Sequence, residues 1–300
     1  MSTSFARLLR IPLTVAVVWT ILVAAVPVAM AYYAPWVVRP GISCVRVSSV
    51  LVRVDQPLPA GMCKSLAELY HLSFLELFVD SMFRSLALLV GAAVLALVVG
   101  TLLGVAGALL RRRAWASGGI VGITTLLSAV PAFFVAYFLQ ILVIIVGATP
   151  EGGKLLPVFG FGYDSHLVLP LLSVSIPAIA FTAQLTATRM QDVLDADFIT
   201  TANAKGLRTR EILLVHVLPH VRPVLLEALG SGLRVSVASL PIIEYLFVWR
   251  GIGQLALESV GVHDAAGLIF SGVVLAGLFA TVSALADVSR PRALFRQTSG

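Results

Sequence analysis

Two oppositely charged residues stand inside an otherwise apolar stretch of the chain. Arg234 lies near the middle of a segment from about Pro223 to Val248, and Glu227 precedes it by seven residues. On an α-helix this spacing places both side chains near one face, about 10 Å apart along the axis. Ionisable residues within membrane spans are costly and are functional candidates by default. Arg234 therefore either attracts the carboxylate of a solute or pairs with a carboxylate on another span or a second chain.

Motifs for enzymatic or phosphate-binding chemistry are absent from the sequence. The chain has no H-E-x-x-H, no G-x-S-x-G and no G-x-x-x-x-G-K-[ST]. His216, His220 and His263 lack the spacing of metal ligands, so no metal site is predicted. We expect no catalytic residues and no directly bound cofactor, and we assign any ATP hydrolysis to separate chains.

The composition is that of a membrane protein. Hydrophobic residues make up 59% of the 300 residues and charged residues only 12%, whereas soluble domains carry about 25% charged residues. The formal net charge of +6 is explained by the basic residues that collect in cytoplasmic loops. We therefore predict membrane lipid as the surroundings of the chain and no nucleic-acid partner.

Six stretches are long enough to cross a bilayer, since a span needs roughly 20 predominantly apolar residues. They run over about Ile11–Val38, Leu86–Leu110, Ile120–Val146, Leu167–Thr188, Pro223–Val248 and Ala265–Val288. These stretches predict an all-α integral membrane protein. The Arg111–Arg113 run and the C-terminal arginines place both termini in the cytoplasm.

The predicted organisation has three parts. Residues 1–38 form an N-terminal span, residues 39–82 an extracytoplasmic loop domain, and residues 83–300 a core of five spans. The loop domain contains both cysteines, Cys44 and Cys63. Disulfides persist in oxidising compartments, which favours a Cys44–Cys63 bond over two unrelated thiols. Closing a loop of this size would contribute about 3 kcal/mol in the chain-entropy treatment.

The cytoplasmic loop 189–222 is patterned as two short helices rather than as a plain connector. Phe198, Ile199 and Ala202 give the first helix an apolar edge, and Gly206 stands where a helix C-cap favours a left-handed residue. The short side chains of Ala202 and Ala204 would also permit close docking of a partner. Thr209 is expected to cap the second helix. A rigid element of this kind, held between two spans, can pass force from a cytoplasmic partner to the spans. The alternative is an ordinary interfacial loop.

The same loop resembles the cytoplasmic signature of the permease subunits of ABC importers. That signature is Glu-Ala-Ala, three residues, Gly and, later, Leu-Pro. Ala202, Gly206 and the pair Leu218–Pro219 match it, whereas Thr200 and Thr201 replace its first two residues. The run Thr-Ala-x-Ala-Lys-Gly-Leu that starts at Thr201 is similar to a form common in the dipeptide/oligopeptide permease branch.

Further stretches resemble the same branch in order and spacing. They are Leu155–Gly160, His166–Pro170, Arg189–Met190, the segment around Pro131, and Glu244–Gly253. The last is similar to Glu-x-x-Phe-x-Trp-Pro-Gly-x-Gly, except that Arg250 stands in place of the proline. The resemblance covers about Leu86 to Arg292, and the N-terminal third matches poorly.

The resemblance implies a type I ABC importer permease in a bacterial inner membrane, with six spans. It also implies four kinds of partner: a second permease subunit, two ATPase subunits that use ATP and Mg²⁺, an extracytoplasmic substrate-binding protein, and lipid. Peptides or similar small solutes are the implied cargo. The alternative from another class is a stand-alone, ion-coupled secondary transporter. Such proteins usually show internal repeats, and this sequence has no convincing one.

Residue roles follow from the resemblance and from the charges within the spans. The residues implied to couple the chain to an ATPase are Thr200, Thr201, Ala202, Ala204, Lys205, Gly206, Leu218 and Pro219. Those implied to build a structural outer turn are Glu244, Trp249, Gly251 and Gly253. Arg234 and Glu227 are the candidates for the translocation pathway.

Overall fold

A computed structural model describes residues 15–17, 19, 20, 24, 74–110, 113–148, 156–262 and 264–288. Within these ranges the chain is helical and has no β-strand, which confirms the predicted all-α class. The helices are α1 (Phe74–Leu95), α2 (Thr101–Leu109), α3 (Ala114–Ala129), α4 (Ala132–Gly147), α5 (Val168–Leu194), α6 (Asp197–Ala204), α7 (Thr209–Glu211), α8 (Leu218–Phe247), α9 (Ile252–Gly261) and α10 (Ala265–Val288). Two π-helical segments, Ala96–Gly100 and Ile212–Val217, join α1 to α2 and α7 to α8.

Four helical stretches are long and apolar enough to cross a membrane. They are Glu76–Leu109, Ser165–Leu194, Ile212–Phe247 and Gly267–Asp287, and they carry the second, fourth, fifth and sixth predicted spans. Most of the predicted first span lies outside the described residues, as do Cys44 and Cys63. The count of six spans and the proposed disulfide therefore stay predictions.

The stretch predicted as the third span is built as two helices. Ser117–Ala129 and Ala132–Gly147 are inclined to each other by 103°. The break falls at Pro131, which lacks an amide hydrogen and disfavours a helical conformation of the residue before it. Val130 accordingly has extended backbone, with φ −81° and ψ 127°. The apolar length was predicted from the sequence, but the angle between its two halves was not.

The helix that carries the second predicted span begins before the span itself. We placed residues 39–82 in the loop, yet α1 already begins at Phe74. Phe78 is buried, and its ring meets Phe270 of α10 edge-on with centroids 4.5 Å apart. The helix therefore includes residues 74–82, and the division of the chain at residue 82 stays a prediction.

The chain divides into two compact units. The first comprises Met1–Leu88, Ala136–Pro170 and Val237–Thr281, and the second comprises Leu89–Val135, Leu171–Ser236 and Val282–Gly300. In the first unit, the indole of Trp19 lies over Gly277 of α10 and donates a hydrogen bond of 3.0 Å to the hydroxyl of Thr281. In the second unit, α2 packs on α5.

The contact between α2 and α5 depends on two glycines. Gly100 and Gly104 form a G-x-x-x-G pair, a pattern that predicts close helix packing in membranes. A Cβ atom at Gly104 would lie 2.6 Å from Cβ of Thr186 and 2.7 Å from the carbonyl oxygen of Ala183. A Cβ atom at Gly100 would lie 2.8 Å from Cβ of Thr182. The helices approach this closely because neither glycine has a side chain.

We expect Gly104→Ala to destabilise the chain by about 1–3 kcal/mol, because the added methyl group would overlap α5. Gly122→Ala in α3 is the matched control, since nothing lies within 4 Å of a Cβ atom there. Thermal unfolding of the purified chain in detergent checks the difference. Equal unfolding temperatures for the two variants would contradict the packing argument.

Candidate functional site

Helix α6 packs one face against its own chain. Ile199 and Ala202 are buried, with 3% and 5% of their surfaces exposed. They belong to a cluster of buried residues, called here the loop cluster: Ala108, Met190, Val193, Ile199, Ala202, Ile212, Val217, Val221 and Leu225. The cluster joins α6 to α5, to the second π-segment and to the start of α8. The loop is therefore a packed element rather than a loose connector.

All residues of the predicted coupling set except Ala202 are exposed. They are Thr200, Thr201, Ala204, Lys205, Gly206, Leu218 and Pro219. Ala202 is the exception, because the loop cluster buries it. Burial of Ile199 and Ala202 confirms the apolar edge predicted for them, whereas the close docking also expected of Ala202 does not fit a buried side chain.

Helix α6 ends in a Schellman motif. Gly206 has φ +76°, which confirms the predicted left-handed residue. Its amide donates to the carbonyl of Asn203 at 3.0 Å, and the amide of Leu207 donates to the carbonyl of Ala202 at 3.3 Å. Nothing lies within 4 Å of a Cβ atom at Gly206. Backbone conformation alone therefore favours glycine at this position.

The second helix of the loop begins one residue earlier than predicted. We expected Thr209 to be the N-cap, but Thr209 is already helical and Arg208 occupies the cap position. The side chain of Glu211 accepts a hydrogen bond of 3.0 Å from the amide of Arg208. In a capping box, the side chain of the third helical residue accepts a hydrogen bond from the amide of the cap residue. Glu211 and Arg208 make this one of the two capping-box bonds.

The chain stays helical through Pro219 and Pro223, which we expected to mark the start of the fifth span. In an α-helix the ring of Pro219 would collide with the carbonyl four residues earlier, that of Val215. The segment just before Pro219 is instead π-helical, and the amide of Leu218 donates to the carbonyl of Leu213, five residues back. This wider turn accommodates the proline, so α7, the π-segment and α8 follow one another without a break.

Phe198 does not join the buried edge on which the sequence pattern placed it. It is 42% exposed and stacks on His220 of α8, with ring centroids 5.5 Å apart and an interplanar angle of 28°. The sequence offered no signal for this pair, because neither periodicity nor spacing relates two positions across a turn. It is a second direct link between α6 and α8.

Arg234 is paired within the chain. Its Nη2 donates to the hydroxyl of Ser231 at 2.9 Å, and its Nη1 lies 3.8 Å from Oδ1 of Asp287 in α10. The side chains of Arg234 and Asp287 are 23% and 58% exposed. The contact with Asp287 matches one of the alternatives predicted from the sequence, a carboxylate on another span. Glu227 lies about two turns earlier on α8.

Glu244 is fully buried and holds the turn after α8. Its Oε1 accepts a hydrogen bond of 2.6 Å from the Ser85 hydroxyl, and its Oε2 accepts 2.8 Å and 3.2 Å bonds from the amides of Gly253 and Gln254. A Cβ atom at Gly251 would collide with this carboxylate. The Glu244 side chain therefore satisfies the first amides of α9, a favourable position for a negative charge.

Trp249 anchors the same turn. Its indole is buried and donates to the carbonyl of Arg84 at 3.1 Å, and its amide donates to the carbonyl of Glu244 at 2.9 Å. Its neighbours Val248 and Arg250 are both left-handed, with φ 57° and φ 56°. Proline fixes φ near −65°. The proline that the permease motif has in place of Arg250 therefore does not fit this conformation. Arg250 also donates its amide to the side chain of Gln254 at 2.5 Å.

The segment before α5 also contacts the end of α8. The amide of Gly160, a left-handed residue with φ +115°, donates to the carbonyl of Phe247 at 2.9 Å. Farther along, Asp164 accepts hydrogen bonds from the amide and ring of His166, at 3.0 Å and 2.7 Å. These bonds from His166 hold the pKa of Asp164 below its usual value.

Helix α9 was not predicted from the sequence. Ile252, Leu255, Ala256 and Ser259 are all buried and follow the i, i+3, i+4, i+7 pattern of a helix face. That signal was available from the sequence. The partnership of Ser85 with Glu244 was not, because the two residues are 159 positions apart.

Comparison with known proteins places the chain among transport components. Residues 96–294 match the family of binding-protein-dependent transport system inner membrane components. One relative, from Brucella abortus (strain 2308), is named as a peptide transport system permease. It is 28% identical over 207 residues, which cover 68% of this chain and 65% of that protein. The chain thus spans less than two thirds of that relative's length.

Two further relatives are similar at the same level. One, from Sinorhizobium fredii, is named as a peptide ABC transporter permease and is 27% identical over 67% of this chain and 66% of its own length. The other is the metal-staphylopine import system permease protein of Staphylococcus aureus, 26% identical over 68% of this chain and 63% of its own length.

We expect Glu244→Ala to be strongly destabilising, because it leaves buried donors of Ser85, Gly253 and Gln254 without an acceptor. Each buried group left unpaired costs about 1–3 kcal/mol. Asp80→Asn is the matched control, since Asp80 is an exposed carboxylate paired with Arg84 and such pairs contribute about 1 kcal/mol or less. The accumulation and unfolding temperature of the two variants check this. Similar values would show that the Glu244 network is dispensable.

Proposed function

This chain belongs to the family of binding-protein-dependent transport system inner membrane components, and on that premise we propose that it is the permease subunit of an ATP-driven importer. In this proposal it forms half of a translocation pathway, and a second permease subunit forms the other half. An external binding protein delivers the solute. Two separate ATPase subunits bind ATP and Mg²⁺, because this sequence has no phosphate-binding loop of its own.

The observation that carries the proposal is the build of α6. A short helix with a defined start and a Schellman end presents Thr200, Thr201 and Ala204 outward while its other face is packed. Lys205 and Arg208 are exposed beside it and supply positive charge for acidic groups on an ATPase. Closure of the ATPase pair would push α6 and switch the pathway between inward and outward access.

The proposed cargo is a peptide or a similar small solute. Relatives named for peptide transport and for metal-staphylopine import support this range. Within α8 we propose Arg234 and Glu227 as pathway residues. Arg234 lies 13 residues before Phe247, about 20 Å along the helix, and its pairing with Asp287 leaves part of its side chain exposed.

Purification of the tagged chain from native membranes in mild detergent tests the assembly. Mass spectrometry of the co-purifying chains should find one or two ATPases and a second permease. Reconstitution of that complex should give uptake that depends on ATP and on the binding protein. A chain that purifies alone and still catalyses ion-dependent uptake would overturn the proposal in favour of a stand-alone secondary transporter.

We expect Gly206→Val to abolish transport while the chain still accumulates in the membrane. A β-branched residue in the left-handed conformation costs about 1–2 kcal/mol or more, which would unwind the end of α6. Gly206→Asn is the control, because asparagine tolerates that conformation, and it should retain transport. Near-normal uptake by the valine variant would remove the coupling role of this turn.

We expect Arg234→Ala to weaken uptake of peptides with a free carboxylate more than uptake of the same peptides with an amidated C-terminus. A hydrogen bond to a charged group contributes about 1.5–3 kcal/mol, so the loss should be about tenfold or more. Asp287→Asn, which leaves the cation in place, is the control and should spare the free-carboxylate peptides. If both variants instead fail to accumulate to the same extent, the pair is structural.

A further inference from the structure

The contact between Phe198 and His220 has no role in the function proposed above. Phe198 lies in the first turn of α6, and His220 lies in the first turn of α8. Their rings are stacked at 5.5 Å, and both side chains are exposed. No surrounding core forces the rings together, so the stack is a contact between the two helices in its own right.

The ring of His220 is held in place by the backbone. Its Nδ1 lies 2.8 Å from the carbonyl oxygen of His216. Because a carbonyl only accepts, Nδ1 carries the proton in this bond. His216 belongs to the π-segment Ile212–Val217. The imidazole is therefore tied to the wide turn before α8, and this bond orients the face that it presents to Phe198.

The stack lies at the edge of the buried face of α6. Ile199 and Ala202 belong to the loop cluster, which also contains Val221 and Leu225 of α8. A short helix held by one apolar stripe can roll about that stripe. A second contact from Phe198, beside the stripe and directed at α8, resists the roll. Helix α6 is thus joined to the start of α8 by two independent contacts.

The turn between α6 and α7 is the alternative place for motion. It consists of Lys205–Arg208, all exposed, around the left-handed Gly206. If α6 pivoted on this turn, a push on it would be absorbed before it reached α8. A bridge from α6 directly to α8 bypasses the turn.

We propose that Phe198 and His220 are positioning residues for coupling: their stacked rings make α6 and the start of α8 move as one body. A displacement of α6 by an ATPase is then passed to α8 rather than lost at Gly206. This inference rests on the proposed function, because it takes α6 as the element that the ATPase moves.

The test uses the complete complex in proteoliposomes and measures its yield, ATP hydrolysis and the number of solute molecules moved per ATP. Phe198→Ala and His220→Ala should assemble and hydrolyse ATP, while transport per ATP falls several-fold. Phe198→Tyr and His220→Phe keep both rings and should restore it. Val215→Ala, which removes an exposed apolar side chain of the π-segment, is the control and should change nothing.

Two results would overturn the inference. One is wild-type transport per ATP in both alanine variants, and the other is a loss of complex yield that accounts for all of the lost transport. Failure of the proposed function itself is distinguishable, because the wild-type chain would then recover no ATPase.

A chemical bridge gives an independent test. Phe198→Cys with His220→Cys, in a chain whose Cys44 and Cys63 are replaced by Ser, removes the stack. A short bis-maleimide, each of whose two double bonds adds one cysteine thiol, can then rejoin the helices. If α6 and the start of α8 move as one body, transport per ATP should be low before bridging and should recover after it. Loss of the remaining transport on bridging would show that the two helices must move apart, and would overturn the inference.

Discussion

In an apolar environment every backbone amide and carbonyl must find a partner within the protein, because no water is available to bind it. Helices meet this demand along their length but leave four amides open at their start and four carbonyls open at their end. In the part of the chain that the structure describes, side chains and loop backbone groups supply partners at several helix ends. The amides at the start of α9 bind Glu244, and the carbonyls of Leu246 and Phe247 at the end of α8 accept from the Gln140 side chain and the Gly160 amide.

The same constraint explains which features could be predicted. Span positions follow from apolar length, and the sixth predicted span coincides with α10, Ala265–Val288. The left-handed turn at Gly206 follows from local backbone chemistry. Ser85 could not be assigned to Glu244, nor Phe198 to His220, because each pair is made by tertiary packing between positions with no shared local pattern. The cap of α7 was missed by one residue, since Thr209 is the more usual cap residue and Arg208 takes the place through the side chain of Glu211.

Prolines show how local rules depend on their surroundings. Pro131 separates α3 from α4 at a steep angle, whereas α8 continues through Pro219 and Pro223. Before Pro219 the chain already runs as a π-helix, which keeps the helix going at the cost of one irregular turn. The candidate coupling loop is for that reason continuous with the longest helix of the described chain, and the residues of the loop cluster fix its orientation on that helix.

Trp19 lies outside the region that matches the transport family but packs on a helix inside it. Similarity to the transport family begins at residue 96, yet the indole of Trp19 fills the notch above Gly277 and donates to Thr281, both within the matched region. Cutting the chain at the start of the match would leave that notch empty and that hydroxyl without its indole donor. The matched region therefore does not contain all of the residues that pack on it. A minimal version for expression or design that keeps this contact has to include Trp19 as well as the matched region.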